Sequence, residues 1–265
     1  MQLRTLTALD GWRWLGAGFA LFRRNPAMLT LLMLTSWMTL LLINQIPLIG
    51  WPLASALIPA FTAGLMSICR EIDGGRLPPP GTLFSGFLQA PRPLLVLGVI
   101  YVVTFLFAFA ASAIVDGGDF LQTMVGLREP TEQEIATGAF MVPMQITLLV
   151  LLPSMMAMWF APMLVAWHVF TPDKALFFSF VACLRNWLPF LTYGLCMVLF
   201  GAILPGLLLG IALSVLPLPP KLAVAVCMLP IIFILAPSVT ASFYVSYRDV
   251  FRDDDLPPPV IDEQV

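Results

Sequence analysis

Long apolar runs without a single charge alternate along this chain with short polar stretches that hold nearly all its ionisable residues. A bilayer core about 30 Å thick needs roughly 20 apolar residues, each contributing about 1.5 Å of helical rise. Six stretches reach or exceed that length: 27–46, 48–69, 94–115, 140–167, 188–215 and 222–247. Their apolar residues run continuously and do not alternate in ten-residue blocks, so the pattern predicts helices and not barrel strands. Inside lipid the backbone has no water to pair with, which forces the same choice.

The polar stretches carry a second pattern. Ahead of the first span, Trp12, Leu15, Phe19 and Phe22 fall at i, i+3, i+7 and i+10, one stripe of a helix. Thr7 and Asp10 predict a capping box at its start, and Asn25-Pro26 closes it. Ahead of the fifth span, Phe177, Phe180, Leu184 and Trp187 repeat the intervals. There Thr171-Pro172 reads as an N-cap with proline at N1, and Arg185-Asn186 matches Arg24-Asn25. A weaker middle copy has Phe84 and Phe87 leading to Pro91. In the even-numbered spans, Pro59, Thr62, Ala63, Arg70 and Glu71 align without a gap on Pro237, Thr240, Ala241, Arg248 and Asp249. Pro162, Asp173 and Lys174 keep part of that spacing.

The expected fold is therefore all-α and polytopic: six transmembrane helices forming three parallel hairpin repeats. An amphipathic interfacial helix leads each hairpin, aromatics towards lipid and arginines towards water. The expected divisions are an amphipathic cytoplasmic helix at 1–26, a transmembrane domain at 27–247 and a cytoplasmic tail at 248–265.

Composition and charge add the compartment and the orientation. Hydrophobic residues make up 60% of the chain and charged ones 11%, against roughly 45–50% and 25% in soluble domains. Lipid must then serve as part of the solvent. Arg4, Arg13, Arg23, Arg24, Arg70, Arg76, Arg92, Lys174, Arg185, Arg248 and Arg252 fall in one set of connecting segments, with only Arg128 and Lys221 in the other. That asymmetry predicts both termini in the cytoplasm. The segment 116–139 becomes the sizeable outside loop, with Asp116, Asp119, Glu129, Glu132 and Glu134 against one arginine. The tail, with Asp253, Asp254, Asp255 and Pro257 to Pro259, has the composition of a disordered segment. The first 25 residues carry four arginines and two tryptophans with no small-residue cleavage site, so the first span is expected to stay as an anchor.

The run Gly18-Phe19-Ala20-Leu21-Phe22-Arg23-Arg24-Asn25-Pro26, with the later Pro59, Gly64 and Arg70-Glu71, resembles a family of uncharacterised proteobacterial six-helix inner-membrane proteins. More distantly, the repeated hairpin is similar to the membrane domain attached to some glycerophosphodiester phosphodiesterases. The catalytic domain of those enzymes, with its acidic and histidine metal ligands, has no counterpart here. The resemblance implies architecture and a bacterial inner membrane, and no functional residue carries over.

Candidate chemistry is sparse. Between the ends of the six stretches there is no Asp, Glu, Lys, Arg or His, whereas charge-coupled transport generally needs one at mid-depth. His168 has no recognisable metal-ligand partners, and Cys69, Cys183, Cys196 and Cys227 form no CxxC pair. Met155, Met156, Met158 and Met163 read as a packing face before a Cu(I) site. No HExxH, GxSxG or phosphate-loop motif occurs. The expectation is a non-enzyme without cofactor or metal.

Pro153 and Pro205 lie deep in their spans and predict bends. Gly206/Gly210, Ala60/Gly64 and Ser238/Ser242 permit close helix approach, within the chain or with another. Expected partners are membrane lipids, a second copy or another membrane protein, and not nucleic acid. Arg24, Asn25, Arg185 and Asn186 are the candidate lipid-headgroup contacts. Three readings stay open: a protein acting through lipid or protein contacts, a permease for a neutral or amphiphilic solute, and a membrane subunit of a larger complex.

Overall fold

The computed structural model describes residues 2–124, 127–215 and 219–252. Strand β1 (Gln2–Leu3) leads into α1 (Ala8–Arg24), α2 (Pro26–Asn44) and α3 (Gly50–Asp73). A 3-10 turn at Pro80–Phe84 precedes α4 (Ser85–Gln89), α5 (Pro91–Asp116), α6 (Asp119–Met124) and α7 (Glu132–Thr137). Then come α8 (Met141–Trp159), α9 (Ala161–His168), α10 (Pro172–Arg185), α11 (Trp187–Val198), α12 (Leu204–Val215), α13 (Pro220–Pro230), α14 (Ala236–Val250) and β2 (Phe251–Arg252). The β1–β2 pairing is antiparallel and two residues long, Gln2 opposite Arg252 and Leu3 opposite Phe251. Among the described residues, everything else of regular structure is helical.

Among the described residues, six helical stretches are long and apolar enough to cross a membrane: Pro26–Asn44, Gly50–Asp73, Pro91–Asp116, Met141–His168, Trp187–Ser214 and Lys221–Val250. They match the six apolar runs, with two differences that matter. The second runs on to Asp73 and the sixth to Val250, so Arg70, Glu71, Asp73, Arg248 and Asp249 ride on the last helical turns and not in loops. The acidic tail beyond Arg252 lies outside the described residues.

The chain forms two compact units, Met1–Thr39 with Phe61–Gly86 and Ala182–Val265, and Leu40–Ala60 with Phe87–Val181. In the first, α1 packs against α11 and α14. Asn25 ends α1 and starts α2: its N–H donates to the Phe22 carbonyl at 3.1 Å and its Oδ1 accepts from the Met28 N–H at 3.3 Å. Pro26 follows at a position whose N–H would lack a partner in any helix.

In the second unit, α5 packs against α6, α8 and α9. The break between α8 and α9 is not at Pro153, through which α8 runs unbroken, but at Phe160. There the Ser179 hydroxyl has entered the helical ladder. It accepts from the Phe160 N–H at 2.9 Å and donates to the Met156 carbonyl at 2.8 Å, the two groups that an unbroken helix would pair. Pro162, two residues on, cannot donate and fixes the restart of the helix.

The described residues of segment 116–139 are also held by named contacts. Asp116 accepts from the N–H groups of Gly118 and Phe120, starting α6. Phe120 then stacks between Phe109 and Phe140, at ring distances of 6.2 and 5.9 Å. Thr131 and Glu134 form the capping box of α7, with Thr131 N–H to Glu134 Oε2 at 2.9 Å. Arg128 bridges Glu134 and Asp119.

One expected element is different. The middle copy of the leading helix is a 3-10 turn and the five-residue α4, because Pro78, Pro79 and Pro80 forbid a helix upstream. Its Leu83 is buried, against the helix at Gly64: a Cβ on Gly64 would fall 1.9 Å from the Leu83 carbonyl oxygen.

Candidate functional site

Helix α1 is positioned by two glycines. A Cβ on Gly11 would lie 2.1 Å from the Pro189 carbonyl oxygen, and one on Gly18 would lie 2.5 Å from Ser242 Cβ. Only glycine lets these backbones approach so closely. Between them Trp14 is fully buried, its ring 5.3 Å from Phe190 and 5.9 Å from Tyr193. The Tyr193 hydroxyl shares a 2.8 Å hydrogen bond with the Ser242 hydroxyl. Leu21 and Phe22 complete the buried face.

The stripe Trp12, Leu15, Phe19, Phe22 is split: Phe22 is buried, while Trp12 and Phe19 are about half exposed. The face that packs is Gly11, Trp14, Gly18, Leu21. In α10, too, Ala175, Ser179, Ala182 and Cys183 are buried, while Phe177 and Leu184, with Trp187 at the start of α11, are exposed. Exposed rings on both helices suit a lipid surround.

The flank of α1 that is left over, Trp12, Leu15, Gly16 and Phe19, forms one wall of a cavity of about 750 Å³. A second wall comes from α11, α12 and the π turn between them, with Phe200, Leu204, Pro205 and Leu208. A third comes from α13, α14 and their π turn, with Cys227, Ile231, Leu235 and Ser238. The two π turns, Leu199–Ile203 and Ile231–Leu235, each end two residues before a proline, Pro205 and Pro237. Proline cannot donate to the carbonyl four residues back and crowds it, and a π turn relieves both problems by widening the helix. So the bend expected at Pro205 takes the form of a widened turn, and a second one faces the same space.

The lining is almost wholly apolar. The Ser238 hydroxyl is already donated to the Ile234 carbonyl of its own helix. Trp12 contacts Phe200 at 5.8 Å across the cavity, and Gly16 has nothing within 4 Å of where a Cβ would stand. Such a space can take a hydrocarbon chain and offers nothing to a small polar solute. Its volume falls in the ~300–1,000 Å³ span of ligand pockets.

At one end of α1, Asp10 accepts from the Thr7 N–H at 2.7 Å and the Thr7 hydroxyl at 2.8 Å, and pairs with Arg13 at 3.0 Å. Partial burial raises the Asp10 carboxyl, but the Thr7 and Arg13 contacts outweigh it and hold the group below the ordinary range. At the other end Arg24 reaches Asp73, its Nη1 3.2 Å from the carbonyl and 3.4 Å from Oδ1. Asp73 Oδ2 also accepts from Arg248 Nη1 at 2.9 Å and Tyr244 OH at 3.2 Å. The sequence reading missed Asp73, since it ended the second span at residue 69.

The four candidate headgroup residues therefore have different surroundings. Arg24 is held by Asp73 and Asn25 by the α1–α2 junction. Asn186 is fully buried, accepting from the Leu6 N–H at 2.8 Å and donating to the Arg4 and Ala182 carbonyls at 3.0 and 2.9 Å. Arg185 is exposed, with no ion pair among the described residues. Gly206 and Gly210 meet nothing within 4 Å, while Gly64 and Ser242 are in tight contacts inside the chain. No group of three His, Cys, Asp or Glu that could hold a metal occurs among the described residues.

A probable inner membrane protein of Burkholderia thailandensis is 35% identical over 257 residues, covering 95% of this chain and 94% of that one. The chain belongs to that family of inner-membrane proteins. It is a multi-pass protein of the inner membrane, carried there by its six apolar helices. No family model and no solved structure matches it.

Proposed function

We propose that this inner-membrane protein acts by holding the acyl chain of a membrane lipid in the cavity beside α1. The observation that carries this reading is the cavity itself: about 750 Å³, apolar on all three walls, and framed by two proline-linked π turns. Single π turns inside helices are frequent at functional sites, since each weakens the regular ladder. The reading is non-catalytic, because it needs a shaped space and no reacting group.

The finer architecture belongs to the same proposal. Three parallel hairpins, with α1 and α10 in the headgroup layer, would put the arginine-rich ends and both termini in the cytoplasm. Arg185 would then meet headgroups directly, while Asn25, Asn186 and the Asp73-bound Arg24 would set the helix junctions around it. The distant similarity to the membrane domain of glycerophosphodiester phosphodiesterases adds only the hairpin plan to this reading.

The test is photo-crosslinking with a phospholipid carrying a diazirine midway along one acyl chain, in nanodiscs. Crosslinks should concentrate on the peptides containing Met197 and Phe200 and fall severalfold in Gly16→Leu, which grows a side chain into open space. Labelling spread evenly over the lipid-facing helices, and unchanged in Gly16→Leu, would remove the proposal. A second reading, a subunit of a larger complex, is favoured by the unpacked Gly206/Gly210 face. Under that reading a photoreactive amino acid introduced beside Gly206 would crosslink to a partner helix.

A further inference from the structure

We infer that the cavity selects its lipid by charge: it takes an anionic phospholipid, one acyl chain along the Trp12–Phe19 wall and the phosphate on Arg23. This deepens the acyl-chain reading and rests on it. A hydrocarbon tail moving from bilayer to cavity passes between two apolar surroundings and gains little from the hydrophobic effect. The tail alone cannot make the site selective. Discrimination must come from what stands at the polar end of the wall.

What stands there is Arg23. Its guanidinium lies over the ring of Phe19, 5.5 Å from the centroid, and Phe19 is a wall residue of the cavity. Stacking on a ring leaves the edge of the guanidinium free to give paired N–H bonds to a phosphate. The other two arginines of α1 are already matched by acids, Arg13 by Asp10 at 3.0 Å and Arg24 by Asp73 at 3.4 Å. Arg23 is exposed and has no carboxylate partner among the described residues. Helix α1 thus carries one unmatched cation, at the wall of a cavity shaped for a chain. A molecule that satisfies both is an amphiphile with a negative head.

Arg23 and Phe19 stand four residues apart, one helical turn, so head and tail sites are joined by rigid backbone. From Phe19 the wall continues through Leu15 and Gly16 to Trp12, about two turns further from the head. The lipid would lie along α1, with its tail running away from Arg23 towards the ring contact of Trp12 and Phe200. Zwitterionic lipids would offer the same tail and phosphate, but their ammonium would meet Arg23 as a like charge.

The experiment uses the full chain in nanodiscs of equal phosphatidylglycerol and phosphatidylcholine, each with the same acyl diazirine, and compares crosslinks at Met197 and Phe200. The wild type should favour phosphatidylglycerol roughly fivefold, the ratio expected of one arginine near an anionic head. Arg23→Gln should bring the ratio close to one while total labelling at these residues persists. Arg23→Lys and Arg13→Gln should each keep a preference for the anionic lipid. The inference is overturned if Arg23→Gln keeps the fivefold ratio, or if the wild type has none while labelling there is strong. Weak labelling of the wild type at these residues with either lipid would instead overturn the acyl-chain reading beneath it.

Discussion

Gly18 lies so close to Ser242 that a single added methyl group would sit 2.5 Å from both the serine nitrogen and its Cβ. That contact sets the distance between α1 and α14 and so fixes how wide the neighbouring cavity can be. Ser242 has a second duty, its hydroxyl bonded to Tyr193 at 2.8 Å, which joins α11 to the same seam.

Gly18→Ala should therefore be destabilising, by about 1–3 kcal/mol, the usual cost of overfilling a packed contact. Gly16→Ala, two residues away with open space around it, should be neutral or stabilising, since alanine favours helix by roughly 0.5–1 kcal/mol over glycine. Thermal unfolding of the two variants in detergent checks the contrast. Equal midpoints would show that the α1–α14 approach is looser than described.

Asp73 accepts from Arg24, Arg248 and Tyr244 and is mostly buried. Removing one member of a buried, hydrogen-bonded ion group costs about 3–5 kcal/mol, whereas an exposed pair such as Arg13–Asp10 contributes about 0–1 kcal/mol. Asp73→Ala should lower the unfolding midpoint clearly more than Arg13→Ala. It should also raise proteolysis at the end of α1, since Arg24 loses its anchor.

Ser179 replaces a helical hydrogen bond at Phe160. In Ser179→Ala the Phe160 N–H and the Met156 carbonyl either lose this bridge, at about 1–3 kcal/mol, or close the gap and straighten α8 into α9. Hydrogen exchange at Phe160 distinguishes the substitution from a silent one. Protection equal to wild type, with unchanged stability, would mean the hydroxyl bridge is not needed.

The acidic loop has its own pH signature. Glu134 is drawn down to about 2, first by the Thr131 N–H, then by Arg128 and the Thr131 hydroxyl. A depressed carboxylate contributes stability that is complete above the ordinary glutamate range and is lost as pH falls towards that value. Exchange at α7 should thus stay slow down to about pH 4, then quicken between about 4 and 2. In Glu134→Gln the fast exchange should already be present at neutral pH. Wild-type exchange that quickens around pH 5 would contradict the assignment.

The six spans were legible because a bilayer demands about 20 uninterrupted apolar residues, a signal few other structures produce. The junctions at Asn25-Pro26 and Thr171-Pro172 were legible from cap chemistry, as was the Thr7–Asp10 cap. The packing face of α1 was not named from the sequence, for a physical reason. In lipid, apolar side chains favour neither the protein nor the surround, so an aromatic stripe does not mark the buried face. Small residues at i and i+7 do, and Gly11 and Gly18 around Trp14 were that signal. The cavity left almost no trace, because it depends on two π turns that Pro205 and Pro237 make necessary without stating their shape. Asp73 was hidden by hydropathy, which ends a span at the first charge although the helix goes on.

A cryo-electron microscopy map of the full chain in phosphatidylglycerol-containing nanodiscs, with a bound antibody fragment for size, bears most directly on the lipid-holding cavity. Wild type should show an elongated non-protein density along Trp12, Gly16 and Phe19 with its head at Arg23, and Gly16→Leu should lack it. A cavity closed by the meeting of α1 with the two π turns, or filled by a protein helix, would contradict the reading.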